Sequence, residues 1–164
     1  MAIGRFRAGI GALIWAPGID KYLLLQRVPT KDFAPGAWEC VTGRVDQGEG
    51  FEHALRREVR EELGVSVSVD FVLGTTHFYR GAAVPENELL GVVYHCSLAA
   101  PEAIVLGQEH QAFRWVTVSE AQAFLGDDAS ESWLSRVLVR AEALRQSLPP
   151  ELIARNRAEG FELG

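Results

Sequence analysis

Three carboxylates crowd the run Glu58-Val59-Arg60-Glu61-Glu62. On a helix each residue turns by about 100°. Counted from Phe51, Glu62 falls at about 20°, Glu58 at about 340° and Glu61 at about 280°. The acids therefore share an arc of roughly 100°, beside the apolar arc of Phe51, Leu55 and Val59. His53, Arg56, Arg57 and Arg60 point elsewhere, between about 140° and 240°. Like charges at i,i+3 and i,i+4 repel, so acids clustered near a packed face need a counter-charge. A hard divalent cation such as Mg²⁺ suits them, because it takes a few carboxylates together with waters and phosphate oxygens. Such a centre could neutralise phosphate, activate water and align a leaving group. Taken alone, an ExxEE run is more often a solvated face laced with pairs such as Arg57–Glu61.

The elements around this run must place it. Residues 51–63 have helical periodicity through Phe51, Leu55, Val59 and Leu63, and Gly64 supplies the stop. Gly43 to Gly50 reads as a glycine-rich approach loop with at most a short extended piece, where backbone can come near a phosphate. Upstream, residues 5–15 and 22–27 read as strands around the turn Ala16 to Asp20. Residues 28–37 form a loop, and Trp38 to Val41 a short strand. Downstream, Val65 to Val72 alternates as a half-buried strand, and Thr75 to Tyr79 extends it or pairs with it. Arg80 to Glu88 is a loop, Leu89 to Leu98 a strand, 99–111 a loop and Phe113 to Val116 a short strand. Ser119 is expected to cap a helix over Glu120–Leu125. A second helix spans about Glu131 to Ser147 and ends at Pro149-Pro150. The remaining residues form a short helix or an arm. Strands and helices interleave, so the fold class is α/β (α+β) with a mixed β-sheet. One domain over 1–164 is expected, with a C-terminal helical tail from about 131 to 164.

Composition narrows the partners. The chain is 48% hydrophobic and 23% charged, which favours a packed core over disorder. A net charge of −6 without a basic patch argues against a nucleic-acid polymer. Cys40 and Cys96 lie in apolar runs without CxxC spacing and read as buried reduced thiols, which favours a cytoplasmic setting. Arg5 and Arg7 before Ala8–Ala16 faintly resemble an export signal, but a hairpin explains that segment better. No apolar run reaches the ~18–20 residues that span a membrane. His53, His77, His95 and His110 show no metal-ligand spacing.

The segment 43–65 resembles the Nudix box. That pattern is Gly, five residues, Glu, seven residues, Arg-Glu, an aliphatic residue, any residue, Glu-Glu, any residue, Gly, an aliphatic residue. Gly43, Glu49, Arg57, Glu58, Val59, Glu61, Glu62, Gly64 and Val65 match at every fixed position. Further runs are similar to the family, namely Leu23 to Arg27, Trp38 to Gly43 and Glu109 to Val116. Many members carry Gly-Gly where this chain has Thr42-Gly43. The Val41-Thr42-Gly43 version resembles the dihydroneopterin triphosphate pyrophosphatase branch, which questions the substrate rather than the chemistry.

The resemblance implies a Nudix-type α/β/α sandwich. It also implies metal-dependent cleavage of a pyrophosphate bond in a nucleoside diphosphate linked to another group. Glu58, Glu61 and Glu62 would hold Mg²⁺ or Mn²⁺, with the Gly43 carbonyl as a further donor. Glu109 would be another ligand or the general base. Glu49 and Arg57 would pair and fix the loop against the helix. Arg27, Arg44 and Arg80 are candidate phosphate contacts, and Trp38, Phe78 and Tyr79 candidate base-stacking groups. The plainer reading makes these arginines solvated or paired and these rings structural. The expected partner is a small nucleotide-like molecule, and a homodimer is left open. A rival reading is a non-catalytic nucleotide-sensing Nudix-like module, which usually accompanies box decay or an appended DNA-binding domain.

Overall fold

A computed structural model describes residues 4–164. Its elements are β1 (Arg7–Ala16), β2 (Lys21–Arg27), β3 (Trp38–Glu39), β4 (Val41–Arg44), α1 (Phe51–Leu63), β5 (Ser68–Tyr79), β6 (Glu88–Ser97), β7 (His110–Val116), α2 (Val118–Gln122), α3 (Ala129–Ser147) and α4 (Pro150–Glu159). One seven-stranded sheet runs in the order β3-β2-β1-β6-β5, with β4 also pairing β1 and β7 pairing β2. β1 and β6 are parallel, from Arg7↔Leu89 to Trp15↔Ser97. The other pairings are antiparallel, so the sheet is mixed, as expected.

Period-two alternation sends β1 side chains to two cores. Ile10, Ala12 and Ile14 pack with Ala54, Leu55, Val59 and Leu63 of α1. Leu13 packs on the opposite face with Leu134, Leu138 and Ala141 of α3. Helices thus cover both faces, and the architecture is an α/β/α sandwich. α1 ends as the sequence predicts: Gly64 adopts φ 67° and its N–H donates to the Arg60 carbonyl at 2.9 Å. That left-handed turn favours glycine.

Several boundaries differ from the sequence expectation. Gly43 and Arg44 belong to a strand, because Ile10 and Gly9 of β1 pair with them. The predicted strand Trp38–Val41 divides at Cys40, since β3 pairs β2 while β4 pairs β1. β5 starts at Ser68 rather than Val65 and runs unbroken to Tyr79, with register shifts at Val69/Phe71 and Val72/Gly74. Thr117, not Ser119, caps α2, through a reciprocal capping box with Glu120. Phe51 is 36% exposed and lies at the margin of the buried stripe of α1.

α4 has a distinct placement. Leu148 and Ile153 join the α3-side core, whereas Phe161 joins the α1-side core. The chain therefore passes across the β5 edge from one face of the sheet to the other. Asn156 Nδ2 donates to the Asp70 carbonyl at 2.9 Å and Arg157 Nε to Asp70 Oδ1 at 2.6 Å. Around Asp70 this segment covers the β5 edge. Among the described residues, no helix is long and apolar enough to cross a membrane.

Candidate active site

α1 presents its carboxylates at three depths. Glu62 is 5% exposed, on the same stripe as Leu55 and Val59. Glu58 is largely covered, and the Glu61 side chain is 60% exposed. β4 runs beside them. A Cβ at Gly43 would overlap the Glu58 side chain, so glycine there leaves that carboxylate room to lie against β4.

Arg57 ties this corner together. Its Nε donates to Glu49 Oε1 at 2.7 Å and its Nη2 to Glu49 Oε2 at 2.9 Å. Nη2 also donates to the Arg44 carbonyl at 2.9 Å, and Nη1 to Glu58 Oε1 at 2.8 Å. Glu61 Oε2 lies 3.4 Å from Nη1. One guanidinium thus binds the loop, the end of β4 and the helix. The Arg57 contact, aided by the Asp46 N–H, holds the Glu49 carboxyl down at about 2.

Burial acts the other way deeper in. It pushes Glu62 up to about 9, with the charges of Glu39, Glu58 and Glu109 adding to the effect. Burial also raises Glu58, against the pull of Arg57. Glu62 Oε2 is buried without a hydrogen-bond partner. Glu109 sits at the rim, its side chain 56% exposed and 2.6 Å from Lys31 Nζ. The Lys31 contact lowers the Glu109 carboxyl.

Among the described residues, no three His, Cys, Asp or Glu side chains already converge to hold a metal ion. Arg57 and Lys31 neutralise Glu58 and Glu109 instead. The donor set nevertheless fits a hard divalent cation. It offers carboxylate oxygens, one of them buried and without a hydrogen-bond partner, beside a glycine whose missing side chain leaves Glu58 its room.

The other sequence candidates separate. Arg27 is buried and paired, its Nη1 donating to Glu39 Oε1 and Oε2 at 2.9 and 2.8 Å. Trp38 meets Phe124 edge-on at 5.4 Å, with Arg114 over its face at 5.2 Å, and its backbone N–H donates to Glu131 Oε1 of α3 at 3.1 Å. Arg44 is exposed at the end of β4. Arg80 lies over the Phe33 ring, which stacks on Phe78.

Sequence reasoning missed a buried polar group behind the helix. His110 Nε2 lies 2.8 Å from Glu39 Oε1, and its Nδ1 lies 3.9 Å from Glu62 Oε2. Thr42 Oγ1 donates to Glu39 Oε2 at 3.1 Å, so the threonine of the Val-Thr-Gly run serves this network. The available signal was Glu39 itself. It is a charged residue in an apolar strand, on the face of Val41, and such a residue needs a buried partner.

Known proteins resemble the chain in the same region. Residues 5–137 match the NUDIX domain. The nucleoside triphosphatase NudI of Salmonella heidelberg is 31% identical over 106 residues, covering 60% of this chain and 74% of that protein. The NAD-capped RNA hydrolase NudC of Stutzerimonas stutzeri is 31% identical over 129 residues, covering 79% of this chain but 42% of the relative. The crystal structure of a MutT protein from Methanosarcina mazei Go1 superposes with a TM-score of 0.70 at 21% identity, covering 89% of this chain and 99% of that one. The chain belongs to the Nudix family, as a hydrolase of the pyrophosphate-cleaving kind.

Proposed function

We propose that the protein hydrolyses a phosphoanhydride bond in a nucleoside triphosphate or a related nucleoside diphosphate derivative. A triphosphate would yield a monophosphate and pyrophosphate. Glu58, Glu61 and Glu62 would hold Mg²⁺ or Mn²⁺, with the Gly43 carbonyl and Glu109 as further oxygen donors. The cation, when bound, would neutralise phosphate oxygens and lower the pKa of an attacking water. The observation that carries this reading is Glu62, a buried carboxylate with an unpartnered oxygen on the helix that packs against Gly43. A buried charge without a partner is costly, and a cation would relieve that cost.

The chain's own residues would divide the remaining work. Arg57 and Glu49 lock the loop 45–50 to α1, so the helix and β4 keep their spacing. Glu109, at the rim and lowered by Lys31, stays ionised and can accept a proton from water once Lys31 is drawn towards phosphate. Arg44, exposed beside the site, is the phosphate contact we favour over Arg27. The setting we favour is the cytoplasm, since Cys40 and Cys96 are both free thiols. A panel of nucleoside triphosphates and nucleoside diphosphate derivatives, incubated with Mg²⁺ or Mn²⁺ and read by pyrophosphate or phosphate release, tests the reading. Turnover that survives excess chelator would overturn it.

A further inference from the structure

The match to the NUDIX domain stops at residue 137, yet the last residues of the chain return to α1. Gly50 precedes the helix and has no side chain to cap it. The missing acceptor comes from the far end of the sequence, where Glu162 Oε1 accepts the Glu52 N–H at 2.8 Å. A Cβ at Gly50 would overlap the Glu162 carboxylate, so glycine there leaves room for the arm. The contact is reciprocal, because Glu52 Oε2 accepts the Phe161 N–H at 3.1 Å. Glu52 Oε1 in turn binds Arg56 Nη2 at 2.7 Å, and Arg56 Nη1 donates to the Val67 carbonyl at 3.0 Å. Phe161 anchors the arm edge-on against Tyr94 at 5.6 Å.

A carboxylate at a helix N-terminus satisfies orphan N–H groups and complements the helix dipole. Here the helix is the one that carries Glu58, Glu61 and Glu62, and its first turn is where the loop 45–50 ends. We propose that the C-terminal arm Gly160–Glu162 is a positioning element of the active site, with Glu162 setting the start of α1 and thereby the loop that Glu49 and Arg57 fasten. The proposal rests on the metal-dependent reading above. Glu162 does not touch the reacting atoms. It acts through the backbone of Glu52.

The test compares Glu162→Ala, Glu162→Gln and, as a control in the same arm, Leu163→Ala, whose side chain is fully solvated. Mn²⁺ affinity is measured by calorimetry without nucleotide, kcat and KM with a nucleoside triphosphate and Mg²⁺, and amide exchange at Glu52 and His53 by NMR. All are read well below the melting temperature. For Glu162→Ala we expect about fivefold faster exchange at Glu52, the factor that a lost cap implies, with weaker Mn²⁺ binding and a lower kcat at nearly constant KM. Glu162→Gln, which keeps an acceptor oxygen, should recover most of each loss, and Leu163→Ala should match the wild type. If Glu162→Ala lowers only the melting temperature and leaves Mn²⁺ affinity and kcat unchanged, the arm is mere packing and the proposal fails. Should Glu162→Ala not fold, unaltered exchange at Glu52 together with unaltered Mn²⁺ affinity in a chain ending at Gly160 overturns it equally. A wild type that does not bind Mn²⁺ at all refutes the underlying reading instead, and is recognised before any variant is made.

Discussion

Arg57 and Glu49 face each other through two parallel contacts of 2.7 and 2.9 Å, the fork-to-carboxylate geometry that a lysine cannot reproduce. The same guanidinium reaches the Arg44 carbonyl and Glu58, so one side chain fixes the spacing between loop, strand and helix. We expect Arg57→Lys to keep the fold and to lose roughly 10–100-fold in activity, as supports of metal-site ligands commonly do. Steady-state kinetics beside a thermal melt check this. Full activity in the lysine variant would show that the charge suffices without the fork.

Glu62→Gln separates a functional from a structural carboxylate. The amide keeps the shape and removes a buried group that can ionise to meet a cation. Turnover should fall by two or more orders of magnitude, on the order of the several kcal/mol that a metal supplies to a transition state. Thermal stability without metal should hold or rise, because keeping this acid protonated above its ordinary range costs stability that an amide does not. A collapse in melting temperature with little change in kcat would assign Glu62 to the fold instead.

A pH titration of stability gives an independent reading. Glu62 is raised from 4.5 to about 9 in the folded protein. Between these values the native state keeps a proton that the unfolded chain has released. Unfolding then releases a proton, and stability falls as pH rises across that window. Divalent cation competes with the proton, so added Mg²⁺ should flatten the decline, and Glu62→Gln should remove it. Melting temperatures measured across that window with and without Mg²⁺ would falsify the assignment if the three curves run parallel.

Glu109→Gln should reduce kcat more than it weakens nucleotide binding, since a general base acts in the transition state. Recovery of the rate at high metal concentration would instead mark a ligand. The measurement is kcat and KM across Mg²⁺ concentrations for Glu109→Gln beside Glu58→Gln. An unchanged kcat removes Glu109 from the site and leaves its contact with Lys31 as surface pairing.

The helix was the most legible part of the sequence. Its periodicity, its glycine stop and the depth of its acids follow from a repeat of about 3.6 residues. Strand limits were less legible, because pairing decides them. Gly43 and Arg44 extend β4 only because Gly9 and Ile10 offer backbone partners. The polar network of Arg27, Glu39, Thr42 and His110 was hidden for a similar reason. His110 lies 71 positions after Glu39 and joins Arg27, Glu39 and Thr42 only when β7 pairs with β2. Glu162 was least visible of all, since no local pattern links a C-terminal acid to the first turn of a helix 110 positions earlier.

The parallel pairing of β1 with β6 also bears on how the protein comes together. The helix with its glutamates lies inside the long segment between these two strands. Joining them requires closing that whole segment, and such non-local pairing slows folding because chain entropy is lost before contacts return it. The core on the α1 face draws on both strands, through Ile10, Ile14, Tyr94 and Cys96. A nascent chain that has released only β1 to β5 therefore has the box but not its platform. The order of emergence delays the platform for the box until β6 has been inserted between β1 and β5.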